Sequence, residues 1–160
     1  MNTLKPATRH ITAAFAAALC CCVISGCNYE VPITPGPTRK LDERLLGNWI
    51  SKDGKERMKV RRLDDSTYVG SYDGDLFRAF HSDVGGTSLV SAQDLDSAER
   101  KYVYLTYTVS ADGDRLGVRD VNTAVIPKET KDSASAQRLL QNNLQNPRLF
   151  NEENQFTKEK

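Results

Sequence analysis

Long apolar runs are scarce in this chain. Residues 11–24 are apolar apart from Thr12, which is short of the about 20 residues that a transmembrane helix needs. Nothing later approaches that length, so a polytopic membrane protein is excluded and the body is expected to be soluble. Histidine is almost absent, with His10 and His81 alone, and Trp49 is the single tryptophan. The four cysteines, Cys20, Cys21, Cys22 and Cys27, all lie near the N-terminus, which leaves none to staple the body. Charge of one sign is not in excess either: 22 basic and 21 acidic residues give a formal net charge of +1. A nucleic-acid partner therefore has no compositional support.

The apolar run has a definite context. Lys5 and Arg9 precede it, and it closes on Val23-Ile24-Ser25-Gly26-Cys27, in which small residues stand directly before a cysteine. This order of charge, apolar stretch, small residues and Cys resembles the lipobox of bacterial lipoproteins. The resemblance implies cleavage before Cys27 and a diacylglyceryl group on its sulfur, usually with a third acyl chain (palmitate in type) on its amine. Two or three chains, at about 0.8 kcal/mol per buried methylene, hold a protein firmly where one binds marginally. An ordinary secretory signal with an incidental Cys is the other reading. Asn28, where an Asp commonly signals retention in the inner membrane, implies an outer-membrane protein facing the periplasm.

That reading divides the chain into a signal peptide at 1–26, an acylated Cys and Pro-rich tether at 27–40, and one globular domain at 41–160. Cleavage removes Lys5, Arg9 and His10 but no acid, so the net charge becomes −1. About 120 residues suit one domain with one core. Pro32, Pro35 and Pro37 rule out helix and central strand, which predicts an extended spacer of roughly 30–40 Å between lipid and domain. A terminus wrapped onto the domain surface is the alternative.

The body alternates short apolar–polar runs with turn signals. Strands are predicted at 49–51, 58–63, 67–72, 76–82, 87–92, 101–109 and 115–122, with a last short one at 153–158 containing Phe156. Asp53-Gly54, Asp73-Gly74 and Asp112-Gly113 favour the two-residue hairpin turn, so consecutive strands should pair as a meander. Along 101–109, Val103, Leu105, Tyr107 and Val109 share the face toward a core. Tyr102, Tyr104, Thr106 and Thr108 share a second face that is half-buried or lines a cavity. Ala136, Leu139, Leu140 and Leu144 then recur at helical spacing over 133–144, with Asp132 or Ser133 as cap and Asn146-Pro147 as stop. This helix should lie on the sheet or across one end of a barrel. The fold class is mainly β: an antiparallel meander forming a small barrel or half-barrel with one C-terminal α-helix.

No constellation specifies a reaction. His81 lies in Phe80-His81-Ser82-Asp83, but neighbours on a strand point to opposite faces, so Ser82 cannot serve it as a nucleophile. One His is too few for a zinc site, and Asp73-Gly74-Asp75 and Asp112-Gly113-Asp114 lack the spacing of a calcium loop. Lys55, Arg57, Lys59 and Arg61 form a basic stripe, either a solvated face or a contact for lipid phosphates or an acidic partner.

Leu45-Leu46-Gly47-Asn48-Trp49 resembles the entry segment of lipocalin-like barrels, whose Trp seals the closed end; no Arg that would stack on Trp49 is identifiable. Residues 77–83, 127–134 and 143–147 resemble a family of uncharacterised bacterial lipoproteins, which brings no activity with it. The expected role is a membrane-anchored, non-enzymatic binding module holding a small apolar ligand or a protein segment, motivated by Tyr102, Tyr104 and Tyr107. The alternative is a structural or assembly protein of the envelope, with a hydrolase ranked below both. No catalytic residue, metal or cofactor is assigned, and the membrane, through Cys27, is the expected partner.

Overall fold

The computed structural model describes residues 29–160, so the signal peptide and Cys27 lie outside the described residues. Eight strands follow one another: β1 (Gly47–Ser51), β2 (Arg57–Arg62), β3 (Thr67–Tyr72), β4 (Asp75–Val84), β5 (Thr87–Asp94), β6 (Tyr102–Val109), β7 (Arg115–Asp120) and β8 (Asn154–Lys158). Each pairs antiparallel with the next, and β8 returns to β1 through Trp49–Lys158, Ile50–Thr157 and Ser51–Phe156, closing the barrel. Closure removes both sheet edges. It also decides between barrel and half-barrel.

The turns explain the meander. Asp73 and Gly74 carry φ of 49° and 106°, the paired positive values whose twist suits a two-residue hairpin between β3 and β4. Hairpins at 52–56, 73–74 and 95–101 gather at one end of the barrel. Those at 63–66, 85–86 and 110–114 gather at the other, where the chain also enters β1.

Two apolar clusters share the sheet between them. Inside the barrel, Leu41, Leu45, Trp49, Val60, Tyr68, Ala79, Val90, Leu116 and Phe156 are buried together. The outer cluster holds Tyr29, Ile33, Leu89, Tyr104, Leu140 and Leu149. β4 shows why both exist: Ala79 to Ser82 are buried without a break, the pattern of a strand covered on both faces. One cover is α1 (Ser133–Asn143), capped by Asp132, whose carboxylate accepts from Ser135 N–H at 2.8 Å. Ala136 and Leu140 are its buried residues.

The other cover is a correction. From Tyr29 onward the Pro-rich stretch is laid on the barrel in place of a free tether, so the folded unit includes residues 29–40 as well as those from 41 on. Tyr29 N–H donates to Tyr102 O at 2.7 Å, and Tyr102 N–H to Tyr29 O at 2.8 Å. Ile33 N–H reaches Ser91 Oγ at 3.0 Å, and the Thr34 hydroxyl, which donates to Gly36 O at 2.8 Å, lies 2.7 Å from Ser82 Oγ. Prolines cannot donate, but they hold the chain extended beforehand, so less entropy is lost when it docks.

The aromatic set divides accordingly. Tyr107 packs against the interior, whereas Tyr104 is buried outside, stacked on Tyr29 with ring centroids 3.8 Å apart, and Tyr102 packs beside them. At Tyr102 and Tyr104 the second face of β6 thus meets the N-terminal strap.

Candidate functional site

The densest set of polar groups inside the barrel lies at the end where the chain enters β1. A single 3-10 turn, Glu43–Leu45, sits there, with Asp42 as its cap and Leu45 pointing into the interior cluster. Trp49 is fully buried, and its indole N–H donates to Leu45 O at 2.9 Å, which ties the turn to β1. A cation does stand over Trp49, and it is a lysine: Lys158 Nζ is 4.9 Å from the ring centroid and donates to Arg44 O at 3.2 Å. Gly47 has a φ of 150°, a backbone conformation that residues with a Cβ rarely adopt, which accounts for the glycine of the Gly-x-Trp segment. This partner carries no local sequence signal, because it comes from the far end of the chain.

His81 lies beneath that turn, fully buried on the inner face of β4. Its Nε2 is 2.8 Å from Tyr68 Oη and its Nδ1 is 3.2 Å from Ser88 Oγ. Tyr68 Oη also accepts from the backbone N–H of Asp42, and its other contact, Asp42 O, is more distant at 3.4 Å. The hydroxyl therefore gives its proton to Nε2. That assigns His81 as the neutral tautomer with the proton on Nδ1, donated to Ser88. In this state the imidazole has no free lone pair with which to take a proton from Ser88.

Ser82 is on the opposite face, between Thr34 and Ser91, and Asp83 pairs with Arg39 at 3.2 Å. The Ser-His-Asp sequence neighbours are not brought together. Asp42 completes the cluster: Arg44 grips both carboxylate oxygens at 2.9 and 2.6 Å, and the Tyr107 hydroxyl donates to Oδ2 at 3.3 Å. Residues 42, 68, 81, 88 and 107 thus connect four strands and the 3-10 turn in one chain of hydrogen bonds. Tyr68 and Ser88 carried no sequence signal, since nothing local marks which strand residues will face one histidine.

The electrostatics follow from burial. Desolvation pushes the Tyr68 hydroxyl up to about 12, and it raises Tyr107 as well, with Asp42 adding to the effect. The Arg44 guanidinium holds the Asp42 carboxyl below its usual range. Burial lowers His81, with Arg39 acting in the same direction. A histidine whose folded pKa is depressed binds protons more readily once unfolded, so stability falls as pH drops below about 6.5 and levels off beneath the folded value. The His81→Gln variant is expected to flatten that part of the profile, where the slope of the parent cannot exceed about 1.4 kcal/mol per pH unit for one group. Urea unfolding of both proteins between pH 7 and 5 checks it; parallel profiles would refute a proton-free native His81.

The other candidate residues serve local structure. Asp112 accepts from Asp114 N–H at 3.1 Å and from the Ser110 hydroxyl, an arrangement internal to the turn. No group of three or more His, Cys, Asp or Glu among the described residues is placed to hold a metal ion. The basic stripe is largely engaged: Lys55 pairs with Asp53 at 3.4 Å, Arg57 with Glu159, and Arg61 donates to Gly47 O at 2.9 Å and Asn48 Oδ1 at 2.6 Å.

Two concavities stand out among the described residues. One, of about 520 Å³, is an open groove over β6 to β8 that includes Lys52, Thr108, Arg115, Glu153 and Gln155. Another, of about 340 Å³, runs beside the start of α1 along Pro127, Glu129, Thr130 and Leu139.

Fold and site together define a small, closed, antiparallel β-barrel with one helix packed on its outside. No protein family, no curated protein and no solved structure matches the chain. No helix among the described residues is long and apolar enough to cross a membrane.

Proposed function

We propose that this is a lipid-anchored lipoprotein of the outer membrane, facing the periplasm, whose barrel has a non-enzymatic binding role in the cell envelope. The anchor reading rests on the lipobox-like Val23-Ile24-Ser25-Gly26-Cys27. The binding reading rests chiefly on one observation: His81, the one histidine of the described residues, is buried and committed to Tyr68 and Ser88. Of the two ligand classes, a protein segment fits better than a small apolar molecule. Trp49, Tyr68 and Phe156 pack together inside the barrel, where a small molecule would have to sit. The same packing favours the second reading, a structural or assembly protein that works through its outer surface.

The anchor is tested by metabolic labelling with a fatty acid. The parent should carry label and fractionate with membranes, and Cys27→Ser should lose the label entirely and leave the membrane fraction. Label that persists in Cys27→Ser would refute the anchor. The binding role is tested by crosslinking in cells, where a reproducible protein partner is expected; a hydrolytic activity abolished by His81→Ala would overturn it.

A further inference from the structure

We propose that the barrel is seated directly on the bilayer surface, with the end that carries Tyr102 and the 95–101 loop against the lipid headgroups. This rests on the lipid-anchor reading and sharpens it, because the chain leaves almost no spacer. Only Asn28 separates Cys27 from Tyr29, and two residues reach at most about 7 Å between Cα atoms. Tyr29 is itself immobilised. It is fully buried, paired with Tyr102 through both backbone hydrogen bonds, stacked on Tyr104, and bonded through its hydroxyl to Ile126 O at 3.1 Å.

Acyl chains on Cys27 lie in the hydrocarbon, so the Cα of Cys27 is held at the level of the headgroups. Whatever surrounds Tyr29 must then lie within a few ångströms of them. The barrel end around Tyr29 includes the start of β6, the 121–126 stretch that packs on Tyr29, the 95–101 loop, in which Lys101 pairs with Glu99, and beyond that loop the start of β4. Leu76, one of two large apolar side chains that stand exposed, belongs to that end, its carbonyl accepting from Leu95 N–H at 2.9 Å. The 110–114 turn is at the opposite end. The eight residues of β6 separate the two ends by roughly 26 Å along the strand, or about 20 Å in height once the tilt of a barrel strand is allowed for. A Pro-rich spacer of the ordinary kind would instead leave both ends far from the lipid.

The test uses the processed, acylated protein bound to vesicles of phosphatidylethanolamine and phosphatidylglycerol carrying a headgroup-labelled acceptor lipid. Acylation leaves no free thiol, so a donor dye can be placed on Ala98→Cys or on Ala111→Cys, both exposed alanines at opposite ends. Energy transfer to the acceptor lipid is expected to be about two-fold or more higher from residue 98 than from residue 111, given their difference in height. Inserting twelve Gly and Ser residues between Asn28 and Tyr29 adds roughly 20 Å of reach and is expected to abolish the difference. Equal transfer from the two positions in vesicle-bound protein without the insertion would overturn the seating while leaving the anchor intact. Failure of the parent to float with the vesicles would overturn the anchor, and the seating with it.

Discussion

Replacing Trp49 with Ala is expected to destabilise the protein by about 3–5 kcal/mol, a large fraction of the 5–15 kcal/mol typical of a domain. Trp49 is the only indole in the chain and is completely buried. Its removal opens a cavity at the entry end of the barrel. It also strips Leu45 O of a donor and leaves the Lys158 ammonium without the ring beneath it. Since Trp49 lies on the strand that closes against β8, the loss falls on the step that makes the barrel a barrel. Urea denaturation followed by far-ultraviolet circular dichroism measures this directly, and a shift under about 1 kcal/mol would mean that the entry end contributes little. Trp49→Phe, which keeps much of the apolar area and loses the N–H, is expected to fall between parent and Ala variant.

Gly70→Val is expected to cost about 3 kcal/mol or more, at the upper end of overpacking effects. Gly70 sits in β3 opposite Val60, and a Cβ there would overlap the carbonyl oxygen of Lys59 and come within 2.9 Å of Phe77 Cζ. Phe77 can turn away, but a backbone carbonyl held in the β2–β3 ladder cannot, so the strands themselves would have to part. Gly36→Ala supplies the control. That glycine lies in the docked strap with nothing within 4 Å of an added Cβ and no positive φ, so the change is expected to be neutral or mildly stabilising. Thermal unfolding of the two variants side by side separates the cases. A Gly70→Val protein as stable as the parent would show that β2 and β3 are not so closely apposed.

The two glycines look alike in the sequence, and the contrast between them marks where sequence reading stops. β3 was legible to the residue because Thr67–Tyr72 alternates between two turn signals, and α1 because its apolar positions recur every three or four residues before Asn146-Pro147. Those signals are local. The second cover on β4 was not legible: Ala79 to Ser82 are buried on both faces only because the strap and α1 arrive from elsewhere in the chain. Nor was the fate of Pro32, Pro35 and Pro37, since proline imposes the same extended backbone on a solvated tether as on a docked strap. At the entry end, His81 stood out as the only histidine of the body, but its partners Tyr68 and Ser88 are set by strand register.

The sequence by itself determined the order and approximate limits of seven strands and one helix, left an eighth strand open, and determined the antiparallel sense of pairing and the inability of Ser82 to serve His81. Each follows from backbone sterics and side-chain alternation within a few residues. The closure of β8 on β1, the cation over Trp49, the neutral tautomer of His81 and the burial of Tyr29 were decided only by tertiary structure. Each requires groups far apart in the chain to meet, and that meeting is governed by the shear of the closed sheet and the filling of its two faces, which no local pattern encodes.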